Sequence, residues 1–157
     1  ELLADARNDA DWLTRMMENL LSITRISGDG VAGITKEVQV MEEVVSEAVI
    51  NFRKRNPGID VSVSVPNELI FVPMDAMLIE QVLINLMDNA VKYRKPDQPV
   101  NIYLRTWNDN EHLYLSVRDT GLGIKKDNLK KVFDKFYRVH TGNVHDVKGF
   151  GLGLAFL

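Results

Sequence analysis

The sequence predicts an α+β domain in which helices cover one face of a mixed β-sheet, preceded by a separate amphipathic helix. Two observations indicate this class. From residue 34 onward, segments in which apolar residues alternate are interleaved with segments of helical apolar spacing. A glycine-rich stretch at residues 28–33 separates this pattern from a long helical pattern at the N-terminal end.

The first element is a helix over residues 1–26. Its apolar stripe has spacings of three and four residues and consists of Leu3, Ala6, Ala10, Leu13, Met17 and Leu20. This stripe is typical of an arm of a coiled coil or four-helix bundle, and equally of an amphipathic helix that packs on its own domain. Because glycines stop helices, we expect a helix at 1–27, a linker at 28–33 and a domain at 34–157.

The domain is predicted to begin with a strand at 34–40 and a helix at 41–55. The buried face of that helix comprises Val44, Val45, Ala48, Val49 and Phe52. Two strands follow, at 59–65, where apolar residues alternate cleanly, and at 69–72.

The second half of the domain contains a helix, a hairpin and a loop. The helix, at 76–94, is capped by Asp75. Its apolar positions include Leu78, Val82, Leu86 and Val91. Segments 100–107 and 112–119 predict an antiparallel hairpin, followed by a short helix at 125–136 and a polar loop at 137–150.

Composition excludes several classes of function. The 157 residues are 45% hydrophobic, enough for a core, and the net charge of −3 gives no general attraction to nucleic acid or an anionic membrane. With no cysteine, disulfides, thiolate metal sites and cysteine nucleophiles are excluded. No apolar run reaches the roughly 18–20 residues of a membrane span, so we expect a soluble intracellular piece of a longer protein.

Two asparagines on the helix at 76–94 are candidates for ligand binding. Asn85 and Asn89 lie one turn apart on one face, with Lys92 and Tyr93 a turn further on. An amide oxygen is a plausible ligand for a hard cation such as Mg²⁺. The alternative is one exposed asparagine and one buried amide whose hydrogen bonds are satisfied.

The segment "DTGLGI" follows a strand and precedes a helical pattern. Gly121 and Gly123 allow a ligand to approach the backbone closely, and an ionised Asp119 can accept a hydrogen bond from an exocyclic amine. An ordinary turn explains the same residues. Further on, Phe133 and Phe136 are expected to anchor the core, and Arg138 faces either phosphate or solvent.

The chain ends on "GFGLGLAFL", in which Gly149, Gly151 and Gly153 precede a possible helix. A glycine-rich turn that opens a helix presents N–H donors and a positive dipole to phosphate. The segment matches neither the dinucleotide-binding fingerprint nor the P-loop.

Taken in order, "LINLMDNAVKY", "DTGLGI", "FDKFYR" and "GFGLGLA" resemble the N, G1, F and G2 boxes of the sensor histidine-kinase ATP-binding domain. This family belongs to the Bergerat-fold ATPases, and the resemblance runs from about residue 34 to the end. It implies a two-layer α/β sandwich, here truncated within the G2 box. The stretch "LTRMMENLLSITRI" is similar to the second helix of the kinases' dimerisation and phosphoacceptor hairpin.

The resemblance implies roles at the phosphate end of ATP. Asn89 would bind Mg²⁺ that bridges the phosphates, and Asn85 would order groups near the γ-phosphate. Lys92 would contact phosphate, and Arg138 would neutralise charge during transfer. The glycines that would hinge a lid over the phosphates are Gly149, Gly151 and Gly153.

The resemblance also implies roles at the adenine end. Asp119 would accept a hydrogen bond from the adenine amino group, which selects adenine over guanine. Gly121 and Gly123 would leave room for the base, and Tyr93 would line the pocket.

For the whole protein, the resemblance implies a dimeric two-component kinase. It would be a membrane-anchored bacterial sensor whose cytoplasmic domain includes this chain. Its kinase would phosphorylate a histidine on its own hairpin and pass the phosphoryl group to an Asp of a response regulator, without a nucleic-acid partner. The phosphoacceptor motif is missing, and His112, His140 and His145 lie outside any such context. We therefore expect no autophosphorylation of this chain.

Two other functions compete with this one. An ATP hydrolase of the gyrase, chaperone or mismatch-repair type would carry a Glu general base where this chain has Asn85. A non-catalytic dimerisation module would have a degenerate nucleotide pocket. Within the kinases, the stretch from residue 12 to residue 90 is most similar to the osmosensitive potassium-channel sensor kinases, whereas the lid is more like general sensor kinases.

Overall fold

The computed structural model describes residues 34–109, 111–135, 137–139 and 153–154, together with Ala6, Ala10, Leu13, Thr14 and Met17, which are helical. The linker at 28–33 lies outside the described residues, as do both of its boundaries. From residue 34 onward, the strands and α-helices in chain order are β1 (Glu37–Val40), α1 (Met41–Arg55), β2 (Asp60–Ser64), β3 (Phe71–Met74), α2 (Ala76–Lys92), β4 (Asn101–Asn108) and β5 (Leu113–Asp119).

The main sheet is mixed and has the strand order β2-β4-β5. Strands β2 and β4 are parallel, with Val61 opposite Ile102, whereas β4 and β5 form the predicted antiparallel hairpin. Parallel strands need a crossover connection, and α2 lies within the one between β2 and β4. Strands β1 and β3 form a separate antiparallel ribbon, in which Val40 is opposite Phe71.

The two helices form a layer over one face of the main sheet, which confirms the predicted α+β sandwich. All five residues predicted for the buried face of α1 are buried. They join a core that includes Leu83 and Met87 of α2 with Ile102 and Leu104 of β4, none of which is more than 1% exposed. Residues of β5 with the same orientation, such as Val117, pack at the edge of this core.

Helix α2 begins as predicted, with the Asp75 carboxylate accepting a hydrogen bond from the Leu78 N–H at 3.2 Å. It ends at Lys92, two residues earlier than predicted. Its buried residues are Leu83, Ile84, Met87 and Ala90. The apolar residues singled out from the sequence, Leu78, Val82, Leu86 and Val91, are only half-buried. The sequence is apolar around most of this helix, so periodicity alone does not identify the face that packs.

Three strand predictions need correction. Strand β1 begins at Glu37 instead of residue 34, and β3 lies at Phe71–Met74 instead of 69–72. The Ile70 carbonyl still accepts from the Met41 N–H at 3.0 Å, in register with the ribbon, but the Ile70 N–H donates to Glu42 Oε2 at 3.3 Å, so the strand pairing ends there. In β2 only Val61 is buried, and Val63 is 43% exposed, because the helices cover only part of this edge strand.

The predicted helix at 125–136 is wrong. The chain there forms two short 3₁₀ turns, Lys126–Asn128 and Lys131–Phe133. Neither turn has a side-chain cap, and only Val132 is buried, so little tertiary packing stabilises a longer helix. Phe133, expected as a core anchor, is 52% exposed, and Phe136 lies outside the described residues.

Within the described part of the chain, no helix combines the length and the apolar character needed to cross a membrane.

Candidate functional site

The second half of α2 carries the predicted asparagines. Asn85 and Asn89 are half-buried and lie one turn apart, on the face next to the one that Ile84 and Met87 bury in the core. The Asn85 Oδ1 accepts a long hydrogen bond from Gln81 Nε2 at 3.5 Å. Sequence reasoning missed Gln81, although its position four residues before Asn85 on a helix places the two side chains together.

Tyr93 joins the end of α2 to the turn that follows β5. Its N–H donates to the Asn89 carbonyl at 2.9 Å, and its own carbonyl accepts from the Leu122 N–H, also at 2.9 Å. The Lys92 ammonium lies 5.3 Å from the centroid of the Tyr93 ring. Two segments that are separate in the sequence, "DNAVKY" and "DTGLGI", are therefore in direct contact.

The turn after β5 is fixed by hydrogen bonds at both of its first residues. Asp119 Oδ1 accepts from the Gly121 N–H at 2.7 Å, and Thr120 Oγ1 accepts from the Asn101 N–H at 3.0 Å. Thr120 therefore attaches the turn to the start of β4, a contact that sequence reasoning did not identify. Asp119 is exposed, and its Oδ2 has no hydrogen-bond partner among the described residues.

Asp119 lies on the helix-covered side of the sheet. It is opposite Ile102 in the β4–β5 register, and Ile102 is fully buried against the helices. Directly opposite residues of an antiparallel pair have the same orientation. The carboxylate therefore lies at the end of β5, on the same side of the sheet as α2.

The two glycines of this turn differ in what they do. A Cβ on Gly121 would lie 2.7 Å from both the Tyr93 carbonyl oxygen and Asp119 Oδ1, so a side chain cannot fit while the turn contacts α2. Gly123 has φ +72° and nothing within 4 Å of a Cβ position. Glycine is therefore favoured there because of its backbone conformation and not because space is lacking. The close approach at Gly121 is thus to the protein's own helix.

Gly153, the last glycine of the chain, also lies near α2. A Cβ on Gly153 would be 3.9 Å from Asn89 Nδ2. Gly149 and Gly151 lie outside the described residues. Arg138 is exposed, and the preceding Tyr137 donates its hydroxyl to Asn128 Oδ1 at 3.0 Å.

The side chains at this site suit a metal bound together with a ligand. Among the described residues, no group of three or more His, Cys, Asp or Glu side chains could hold a metal ion. A Mg²⁺ at the Asn89 amide would therefore need oxygens from phosphates and water, which is how this ion is commonly bound. Asn89, adjacent to Gly153 and one turn from Asn85, fits such a role.

Residues 74–157, slightly more than half of the chain, match the family of histidine kinase-, DNA gyrase B- and HSP90-like ATPases. The chain is 50% identical to the sensor protein RprX of Bacteroides fragilis over 119 residues, which are 76% of this chain and 22% of RprX. It is 39% identical to the sensor protein KdpD of Clostridium acetobutylicum over 155 residues, which are 99% of this chain and 17% of KdpD.

The fold is similar to that of a solved mycobacterial sensor histidine kinase, MprB. The TM-score is 0.64 at 29% sequence identity, and the match covers 77% of this chain and 74% of that structure. The chain spans less than a quarter of the length of RprX or KdpD.

Proposed function

The chain belongs to the histidine kinase-, DNA gyrase B- and HSP90-like ATPase family, and from that premise we propose that it holds Mg·ATP for transfer of the γ-phosphoryl group to a histidine. Its relatives identify it as the ATPase domain of a sensor histidine kinase. The observation that carries the proposal is the hydrogen bond from the Leu122 N–H to the Tyr93 carbonyl, 2.9 Å long. This bond joins the end of the helix that carries Asn85 and Asn89 to the turn that begins at Asp119, which supports a single site at this junction.

At the adenine end, Asp119 would recognise the base. Its Oδ1 is held by the Gly121 N–H, which leaves Oδ2 to accept a hydrogen bond from the amino group of adenine. Guanine has a carbonyl oxygen at the corresponding position, and an ionised carboxylate repels it. Tyr93 would line this pocket, and Gly121 and Gly123 would shape the turn beside the base.

At the phosphate end, the residues would position the phosphate groups of ATP and neutralise their negative charge. Asn89 would hold Mg²⁺, which supplies positive charge to the phosphates when bound. Asn85 would order groups near the γ-phosphate, Lys92 would contact phosphate, and Arg138 would offset negative charge during transfer. The glycines assigned to the lid in this proposal are Gly149, Gly151 and Gly153.

Asn85 favours a kinase over an ATP hydrolase. A hydrolase of the gyrase or chaperone type needs a base to activate water, and an amide side chain cannot accept a proton at neutral pH. The contacts of Asp119 and Gly121 with neighbouring residues also argue against a degenerate pocket. Transfer of the γ-phosphoryl group to an acceptor side chain therefore fits these residues better than hydrolysis by water.

The whole protein would be a two-component kinase that phosphorylates its own histidine and then an Asp of a response regulator. It would be anchored in a bacterial membrane, with this chain on the cytoplasmic side. A potassium or osmotic stimulus is suggested by KdpD alone, and RprX is more similar in sequence. Because the chain has no phosphoacceptor motif, labelled ATP should leave no acid-labile phosphate on it. A labelled histidine on this chain would contradict the proposal.

The experiment for the adenine site is a calorimetric titration of the 157-residue chain with ATP and with GTP. We expect ATP to bind more tightly, and Asp119→Asn to weaken ATP binding roughly tenfold or more, because a hydrogen bond to a charged acceptor is lost. The matched control is Asp109→Asn, which makes the same change in the exposed turn at the other end of β5. Unchanged ATP affinity in Asp119→Asn would remove the assignment.

A further inference from the structure

The outer face of the β4–β5 hairpin carries three aromatic rings and two arginines. The register places Tyr103 opposite Arg118 and Trp107 opposite Tyr114, with Arg105 between them on the same face. The residues Tyr103, Trp107 and Tyr114 are 43%, 38% and 39% exposed. Successive side chains of β4 alternate between the two faces of the sheet. Ile102 and Leu104 are buried in the core, and the aromatic rings therefore lie on the opposite, outer face.

These side chains are organised by contacts with one another. The Trp107 and Tyr114 rings stack with centroids 5.2 Å apart and planes 12° from parallel. The Arg105 guanidinium carbon lies 5.3 Å from the centroid of Trp107, and that of Arg118 lies 5.9 Å from the centroid of Tyr103. Each guanidinium is therefore held against a ring before any partner arrives, which lowers the entropy lost on binding.

The hairpin residues of this face include two cationic side chains and no carboxylate, although the chain has a net charge of −3. Among the described residues, neither Arg105 nor Arg118 forms a salt bridge. The carboxylate at the hairpin turn, Asp109, is occupied by its own turn. It accepts hydrogen bonds from the N–H groups of Glu111 and His112 and from the Tyr114 hydroxyl, and these bonds lower the pKa of Asp109.

We propose that this outer face, formed by Tyr103, Arg105, Trp107, Tyr114 and Arg118, docks an acidic segment of a partner protein through two carboxylates. A guanidinium that lies over a ring at cation–π distance has N–H groups left to donate, and two of them match the two oxygens of a carboxylate. Arg105 and Arg118 are diagonal neighbours across the strand pair, so their positions lie about 7–8 Å apart. Acidic residues at i and i+2 of an extended segment have nearly the same separation, about 6.8 Å.

The ring contacts favour protein over nucleic acid. Single-stranded nucleic acid binds by stacking its bases on free aromatic faces, and here Trp107 and Tyr114 stack on each other while a guanidinium group lies over Trp107 and over Tyr103. An anionic membrane is attracted by clusters of about four to eight basic residues, whereas this face has two. A carboxylate, by contrast, can bind to this face without a free aromatic face, because it contacts only guanidinium N–H groups and the positively polarised edges of the rings.

The test is an NMR titration of the ¹⁵N-labelled 157-residue chain with the peptide acetyl-Ser-Glu-Val-Glu-Ser-amide. We expect saturable chemical-shift changes in the amide signals of β4 and β5 and in the Trp107 indole signal. The affinity derived from these changes should fall as the salt concentration is raised. The same peptide with Gln in place of both Glu should cause none. Arg105→Gln and Arg118→Gln should each weaken binding about two- to fivefold, and Lys54→Gln, on exposed α1, should not.

The proposal fails if millimolar Glu peptide leaves these signals unmoved, or if the Gln peptide shifts them equally. The comparison of the Glu peptide with the Gln peptide uses the unmodified chain, so it tests the proposal even if an arginine variant does not fold. Tighter binding of an oligothymidine of eight nucleotides than of the Glu peptide would assign the face to nucleic acid and overturn the proposal. ATP titration of the same sample reports on the nucleotide site separately.

Discussion

At Gly121, the absence of a side chain decides whether the turn after β5 can reach α2. A Cβ there would lie 2.7 Å from the Tyr93 carbonyl oxygen, which accepts the hydrogen bond from Leu122. We expect Gly121→Ala to lower the free energy of unfolding by about 1–3 kcal/mol, because backbone must move to admit the methyl group. ATP affinity should fall as well, since Asp119 is held by the Gly121 N–H.

Urea unfolding and nucleotide titration would measure the two effects. The matched control is Gly58→Asn, because Gly58 has φ +88° with nothing within 4 Å of a Cβ, and asparagine tolerates positive φ better than other residues. It should retain ATP affinity and lose less stability. If Gly121→Ala bound ATP as tightly as the unmodified chain, the contact between turn and helix would not be needed for the site.

Residue-level prediction succeeded where the chemistry is local. The spacing in "DTGLGI" predicts a tight turn with an Asp at a strand end, and the structure has both. The role of Gly121 against Tyr93 could not be predicted, because it depends on where α2 ends in space. The contacts made by Thr120 with Asn101 and by Gln81 with Asn85 were missed for a similar reason, since side-chain partners depend on packing.

Among the elements, the N-terminal helix has an apolar stripe that is exposed where the structure describes it. Ala6, Ala10, Leu13 and Met17 are all exposed, whereas Leu3 and Leu20 lie outside the described residues. Leu13 and Met17 are 51% and 62% exposed. We propose that this stripe pairs with a second copy of the chain, because an apolar stripe at these spacings is stabilised by burial against another helix.

Sedimentation equilibrium would test this pairing. The unmodified chain should dimerise reversibly, and Leu13→Glu or Met17→Glu should weaken the dimer at least about tenfold, because a charge would be buried in the seam. Ser46→Glu, which adds the same charge to the exposed side of α1, should leave the dimer unchanged. A monomer in the unmodified chain, or dimers of equal stability in all variants, would contradict the proposal.

Elements differ in how well their patterns predict them. Helix α1 has one apolar face and a charged one, and five of its six buried residues were predicted, Met41 being the exception. Helix α2 is apolar around most of its surface, so its existence and its Asp75 cap were predictable but its packed face was not. The segment 125–136 has helical spacing without caps or a buried face, and it forms 3₁₀ turns instead.

For the whole molecule, the sequence predicts the layers and the β4–β5 hairpin, but not the other pairings of the strands. The alternation of strands and helices indicates a mixed sheet with helices on one side, which the structure confirms. That β1 pairs with β3 outside the main sheet follows from long-range contacts, including those of Ile70 with Met41 and Glu42. Pattern within a segment carries no information about such partners.

The proposed nucleotide site likewise combines segments that are distant in the sequence, because it lies where α2 and the turn after β5 meet. Its residues were predicted from ordered motifs, and the structure brings Asn89, Tyr93, Asp119, Gly121 and Gly153 into neighbouring contacts. The nucleotide-binding roles of these residues stay predictions, as do those of Gly149 and Gly151, which lie outside the described residues.

We propose that Mg·ATP binds where α2 meets the turn after β5, and amide mapping by NMR would locate the bound nucleotide. When Mg·ATP is added to the ¹⁵N-labelled chain, the largest shifts should fall in residues 85–93 and 119–123. A surface depression lined by residues 66–71 and Asn108 provides an internal comparison, because it shares none of these residues. Shifts concentrated at that depression, with the junction unmoved at saturation, would contradict the account.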